Sequence, residues 1–278
     1  MNETAIHPTA VINPRAELGS GTTIGAYATI GPGVRLGSDC RVEEHANLRG
    51  PLEAGDRNVF GPGCAIGHDP QVRGDDGPFG RTVLGSGSTF REGSQVHRSR
   101  YEEGVTRVGD DVYVMGNAHI GHDCRIEDSV TLVNGVLLAG HVEVGRGAFL
   151  GGLAAVHQFR RVGEYSMTSG MSPISQDVPP FGTVAGGRPT RLHGINRVGL
   201  RRAGFSREAI RAIATAHRRI FRGEGPVEAR LAAAERDAED GGSLSAARDE
   251  IGRLAAFVRT AEKGVIGIRS VTAGPDEG

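Results

Sequence analysis

A six-residue rhythm constrains this chain more than any other feature. Aliphatic residues fall at Val108, Val114, Ile120, Ile126, Leu132, Leu138, Val144, Leu150, Val156 and Val162, each six after the last. The same spacing opens the chain at Ile6, Ile12, Leu18, Ile24, Ile30, Leu36, Val42 and Leu48. An α-helix repeats every 3.6 residues and a strand every two, so neither gives this period. A unit of one short strand and one tight turn does, and three such units close one coil of a parallel β-helix. Residues eighteen apart then stack on successive coils, about 4.8 Å from one another. The 44 glycines supply the turns, and the absence of tryptophan suits an interior of small aliphatics.

The rhythm breaks twice, over 68–81 and over 98–106, in stretches that are polar, Gly-rich and charged. It resumes in phase at Leu84 and at Val108. A break that keeps phase is a loop extruded from a coil that otherwise continues. After Pro189 the pattern turns helical. Ser206 is an N-cap, Ile210, Ile213, Ala214, His217, Ile220 and Phe221 follow at helical spacing, and Gly223 ends the run. Further helices are expected at about 227–237 and 245–260. The sequence therefore predicts an all-β main domain, a parallel β-helix of hexapeptide repeats over 1–189, with a small α-helical domain over 190–270. A disordered tail is expected over 271–278. Flat sheet faces of this kind favour a homotrimer around a three-fold axis.

The net charge of −1 gives no global attraction for nucleic acid or an anionic membrane. With no charged-then-apolar leader and no apolar run of membrane length, the expectation is a cytoplasmic protein not inserted into a membrane. Cys40, Cys64 and Cys124 each follow a repeat aliphatic by four residues, where the coil needs a small side chain, and read as apolar fillers. None has a CxxC-type partner, as suits a reducing compartment.

Counting each coil from Val108, Ile126 and Val144, His122 is fifteenth, His141 sixteenth and His157 fourteenth, while Gly140 and Gln158 are also fifteenth. The three histidines are thus expected along one edge of the prism. An imidazole titrating near neutrality is the usual general base, so His122 is the candidate to take a proton from a substrate hydroxyl or amine. Asp123 is in place to orient its ring, although adjacent residues seldom share a face. Gly140, one coil above, can offer a bare backbone N–H to a developing oxyanion. His141 and His157 flank the edge as hydrogen-bonding groups.

At these residues the chain resembles the acyl-carrier-protein-dependent UDP-N-acetylglucosamine O-acyltransferases of lipid A synthesis. The resemblance rests on Asn117-Ala118-His119-Ile120-Gly121-His122-Asp123-Cys124, Leu138-Ala139-Gly140-His141-Val142 and Ala155-Val156-His157-Gln158-Phe159. It extends to Ser175-Gln176-Asp177-Val178-Pro179-Pro180 and Gly204-Phe205-Ser206-Arg207-Glu208-Ala209-Ile210. It implies a left-handed β-helix trimer with sites between subunits. The implied reaction moves a (3R)-3-hydroxyacyl chain from acyl carrier protein to the 3-OH of a UDP-sugar, with no metal and no cofactor. On the matching positions His122 is the base and Gly140 the oxyanion amide. His97, His119, His141, His157 and Gln158 contact substrate, Asn196 and Arg202 meet the nucleotide, and Gly170 limits acyl length. The acidic carrier protein would meet Arg211, Arg218, Arg219 and Arg222 of the helical domain.

The chain departs from this family where the sugar nucleotide is held. The family's loop motif Pro-Gln-Asp-x-Lys reads Pro70-Gln71-Val72-Arg73-Gly74, a glutamate position is Val198, and one of two paired arginines is Ala203. Each lost charge-assisted contact removes about 1.5–3 kcal/mol. Two enzyme readings follow, transfer to UDP-N-acetylglucosamine or to a related acceptor such as a 3-amino sugar nucleotide. A non-catalytic carrier-protein or nucleotide scaffold is the binding-protein alternative. A metal-dependent hydratase of the γ-carbonic anhydrase type would need a His-x4-His pair, whereas His119 and His122 are three apart.

Overall fold

The computed structural model describes residues 5–268. Most strands are two residues long, and each pairs in parallel with the strand one coil away, as in His119↔Leu137 and Leu137↔Ala155. The strands build three sheets of eleven, nine and eight members, the faces of a prism. Alternate residues point inward, so Val114, Leu132 and Leu150 stack inside the first face, Ile120 and Leu138 inside the second, and Ile126 and Val144 inside the third. Each such side chain contributes about 1.5–3 kcal/mol on full burial. The expected parallel β-helix is the main body.

The two breaks in the repeat are loops, and their lengths explain the kept phase. Partners lie 30 residues apart across the first (Ala65↔Gln95) and 24 across the second (Gln95↔His119), against 18 in the uninterrupted coils. The insertions are therefore twelve and six residues, whole multiples of the repeat. Phe60 and Phe90, paired across the first, stack inside the prism with ring centroids 5.5 Å apart.

The turns demand left-handed backbone, and many non-glycine residues adopt it. Asp123, His141 and Phe159, stacked on successive coils, have φ of 61°, 61° and 60°. Small side chains fill the inner corners, among them the three cysteines, which are buried and unpaired. Burial pushes the Cys64 and Cys124 thiols up to about 12, leaving them inert.

The last coil is shortened, with Met167 opposite Thr183. Beyond Pro189 the sheet does not stop: Arg191–Ile195 pairs antiparallel with Gly182–Ala185. Four helices follow, α1 (Arg197–Arg202), α2 (Arg207–Arg222), α3 (Val227–Glu239) and α4 (Arg248–Arg259). Asn196 caps α1 through Gly199 N–H at 2.9 Å, and Ser206 caps α2 through Ala209 N–H at 3.0 Å. Helix α1 has no counterpart in the sequence reading. The helices bury Ile213, Ile220, Leu231, Leu254 and Phe181 in a second core. They are tied to the prism by His217, whose Nε2–H donates to Pro180 O at 2.7 Å, and by Arg161, which donates to Phe257 O at 2.9 Å. The tail over 271–278 lies outside the described residues.

Candidate active site

The site lies where the second face of the prism turns towards the third. His119 projects outward from its strand, and the turn that follows carries His122 and Asp123. His122 Nδ1 lies 2.8 Å from Asp123 Oδ2. The left-handed backbone of Asp123 brings these adjacent side chains together. Asp123 is itself held from the second loop. Ser99 Oγ–H donates to its Oδ1, Arg100 N–H donates to Oδ2 at 3.3 Å, and Asp123 N–H donates to Thr106 Oγ1 at 2.7 Å. A carboxylate on Nδ1 fixes the proton there, so His122 Nε2 presents a lone pair.

His97 and His119 carry the same tautomer. His97 Nδ1–H donates to Asp69 O at 2.6 Å, and its buried Nε2 has no partner among the described residues. His119 Nδ1–H donates to Gln95 Oε1 at 3.3 Å. Burial, reinforced by the charges of His97 and His122, pushes His119 down to about 4. Burial likewise lowers His97. Both rings are neutral near pH 7, and their Nε2 lone pairs call for donors such as sugar hydroxyls.

Gly140 and His141 complete the edge. The His122 ring lies against Gly140, whose N–H donates to no acceptor among the described residues. His141 meets His122 edge-on with centroids 5.2 Å apart and stacks on Phe159 at 4.5 Å. Burial lowers the His141 pKa, with His122 and Arg100 adding to it and Asp123 opposing. His122, Asp123 and His141 bring one ligand atom each within 4.8 Å, a spacing that a cation could use. Asp123 already accepts from His122, Ser99 and Arg100, however, so hydrogen bonding accounts for the cluster.

The structure does not bring every expected residue to one place. His157 turns to the second face, where it lines a cavity of about 480 Å³ with His119, Gln71 and Arg188. Gln158 is exposed beside it. Gly170 stands over Gly152, where a Cβ would come within 3.0 Å of the Gly152 carbonyl oxygen. Asn196 and Arg202 line a different cavity, about 1000 Å³, between the first face and α1. Asn196 is also spent internally, its Nδ2–H donating to Tyr165 O at 2.9 Å. Val198, half exposed, stands in that same wall.

Several site residues escaped the sequence reading. Ser99, Arg100 and Thr106 lie in or beside the second loop, where no repeat assigns a direction to a side chain. The first loop, lacking its acid and lysine, is instead tied to the second by Arg98–Asp69 at 2.6 Å and Arg100–Asp75 at 3.1 Å. Of the four arginines expected to meet a carrier protein, Arg211 pairs with Glu208 at 2.7 Å and Arg219 with Asp237.

Comparison with known proteins gives a consistent set of relatives. A family model described as UDP N-acetylglucosamine O-acyltransferase, domain 2, matches residues 177–266, and the bacterial transferase hexapeptide model matches 15–50 and 106–140. The acyl-[acyl-carrier-protein]–UDP-N-acetylglucosamine O-acyltransferase of Burkholderia orbicola is 38% identical over 95% of this chain and 99% of that protein. The crystal structure of Francisella novicida UDP-N-acetylglucosamine acyltransferase superposes with a TM-score of 0.85 at 30% identity, over 94% of this chain and 93% of that one. The Arabidopsis enzyme gives 0.79 at 30% identity, over 94% and 99%. The fold shared with them is a left-handed parallel β-helix followed by short helices.

Proposed function

The chain belongs to the UDP-N-acetylglucosamine O-acyltransferase family, and from that membership we propose that it is an enzyme of lipid A synthesis. It transfers a (3R)-3-hydroxyacyl chain from acyl carrier protein to the 3-OH of UDP-N-acetylglucosamine. One observation carries the mechanism: His122 has Nδ1 on Asp123 and Nε2 free, against a glycine whose N–H is unengaged.

His122 Nε2 takes the proton from the sugar hydroxyl as its oxygen attacks the thioester carbonyl. Gly140 N–H donates to the oxygen that becomes negative, a contact stronger in the transition state than in the ground state. The intermediate collapses by breaking the C–S bond, and the imidazolium returns its proton to the departing thiolate. Asp123 stabilises the imidazolium while it exists. His97 and His119 accept hydrogen bonds from the sugar, and His141, His157 and Gln158 flank it. No step needs a metal or other cofactor.

In a trimer, Arg202 of one protomer would meet the diphosphate bound beside its partner's histidines and close the site. A soluble carrier protein and a nucleotide as substrates place the reaction in the cytoplasm; among the described residues no helix is long and apolar enough to cross a membrane. The coil bears the chemistry, and the helical part, with Arg218 and Arg222, receives the carrier protein. Gly170 leaves room for a long acyl chain.

A second reading keeps the transfer and changes the acceptor. It is favoured by Val198 and Ala203 and by a first loop without the family's Asp and Lys, together with Asn196 being engaged inside the chain. Turnover with ten- and fourteen-carbon 3-hydroxyacyl carrier proteins against a panel of UDP-sugars, including a 3-amino one, tests both readings. We expect turnover with the longer donor, and His122→Ala to lose at least about 100-fold in rate with the fold intact. No turnover with any acceptor would leave a binding protein, and a preference for the ten-carbon donor would remove Gly170 from length control.

A further inference from the structure

We propose that Ser99 is a positioning residue for the base, its hydroxyl holding the Asp123 carboxylate on His122 and away from His141. The inference rests on the reading of His122 as base. Asp123 Oδ2 has two imidazoles within reach, His122 Nδ1 at 2.8 Å and His141 Nε2 at 3.8 Å. Only the first arrangement gives a base with a fixed proton and a free lone pair. The choice between them is set by how the carboxylate is rotated, and that rotation is governed by what holds its other oxygen.

Ser99 holds it. The residue is fully buried, accepts from Tyr101 N–H at 3.1 Å and donates its own proton to Asp123 Oδ1. Tyr101 O lies 3.2 Å from the same hydroxyl, but the charged carboxylate is the closer and stronger acceptor for its one proton. Its place depends on the loop over 98–104. Gly104 packs so closely on Ser99 that a Cβ there would overlap Oγ, and Gly104 N–H closes the turn on Tyr101 O at 2.8 Å. The extruded loop thus braces the catalytic pair from outside the repeat. Without the hydroxyl, Oδ1 loses its side-chain donor, only Arg100 N–H at 3.3 Å from Oδ2 still steers the carboxylate from the loop, and its hold on His122 weakens.

Ser99→Ala tests this by two independent readouts in the full-length protein. The first is kinetic. We expect kcat to fall roughly 10- to 100-fold with KM for both substrates little changed. The second needs no turnover. NMR of the labelled imidazoles should show His122 losing its predominance of Nδ1–H tautomer in Ser99→Ala. Ser99→Thr, which keeps the hydroxyl, should restore both. A residue that only stitches the loop would move thermal stability and neither readout. An unchanged His122 tautomer in Ser99→Ala overturns the proposal whatever the activity. A wild type inactive with every acceptor, but with a His122 tautomer that Ser99→Ala alters, would sink the enzymatic reading and leave the positioning role standing.

Discussion

An ideal Cβ on Gly140 would lie 2.5 Å from Cε1 and 2.6 Å from Nε2 of His122, far inside van der Waals contact. Gly140→Ala must therefore push the imidazole off its present position. Displacing a reacting group by about an ångström costs on the order of 100-fold in rate. We expect a kcat loss of that order with the melting temperature little changed, since the displaced ring lies at the edge of the prism and not in its core. A variant with near-normal kcat would show that the ring has slack and that Gly140 is not its seat. His122 and Gly140 were legible because both are fifteenth in their coils, and a count suffices. The Asp123 contact looked unfavourable by the same logic, since neighbours along a strand point apart. It forms because Asp123 is left-handed, with φ of 61°, and alternation holds only for extended backbone. Ser99 was illegible for a related reason: a side chain in an extruded loop takes its direction from contacts, not from a period.

Among the elements, α2 was readable from Ser206 to Gly223 because a cap, a stripe of Ile and Ala, and a terminal glycine agree. Helix α1 was not, since six residues with one buried side chain, Leu200, carry no periodicity to detect. Helix α2 also holds a pH-sensitive joint. His217 is buried on it and donates to Pro180 of the last coil, and burial pushes its pKa down to about 4. The unfolded chain regains a pKa near 6.5 and takes up a proton that the folded form refuses. Stability contributed by neutral His217 is therefore complete above about pH 6.5 and lost as pH falls towards 4. At about 1.36 kcal/mol per unit the loss is on the order of 3 kcal/mol. The depressed His119 acts in the same direction over the same window. Melting temperatures measured between pH 7.5 and 5 should fall, and His217→Gln, which keeps a donor for Pro180 O, should flatten part of that slope. An identical slope in the variant would assign the effect elsewhere.

At the scale of the whole molecule, the outer surface carries apolar side chains that a monomer has no use for. Leu153 and Met171 are 62% and 76% exposed, stacked one coil apart at left-handed turn positions, with exposed Phe149 on the coil of Leu153 and exposed Leu137 on the coil before it. Left-handed backbone costs a non-glycine residue about 1–2 kcal/mol, a cost more readily sustained where the side chain is covered in the assembly. In a trimer this column would be covered. If copies of the chain meet there, Leu153→Asp combined with Met171→Asp should lower the mass seen in light scattering and reduce turnover, and an unaltered mass would exclude this surface from the interface. The two loops carry a different consequence. Because the insertions are twelve and six residues, the coil behaves like a reading frame that both loops keep. One residue added just before His119 would shift every later position by one and turn core aliphatics out to solvent, as a shifted frame garbles everything downstream. Additions in whole repeats leave every later residue on its face, so a chain of this design can lengthen or exchange its loops without disturbing the histidines along its edge.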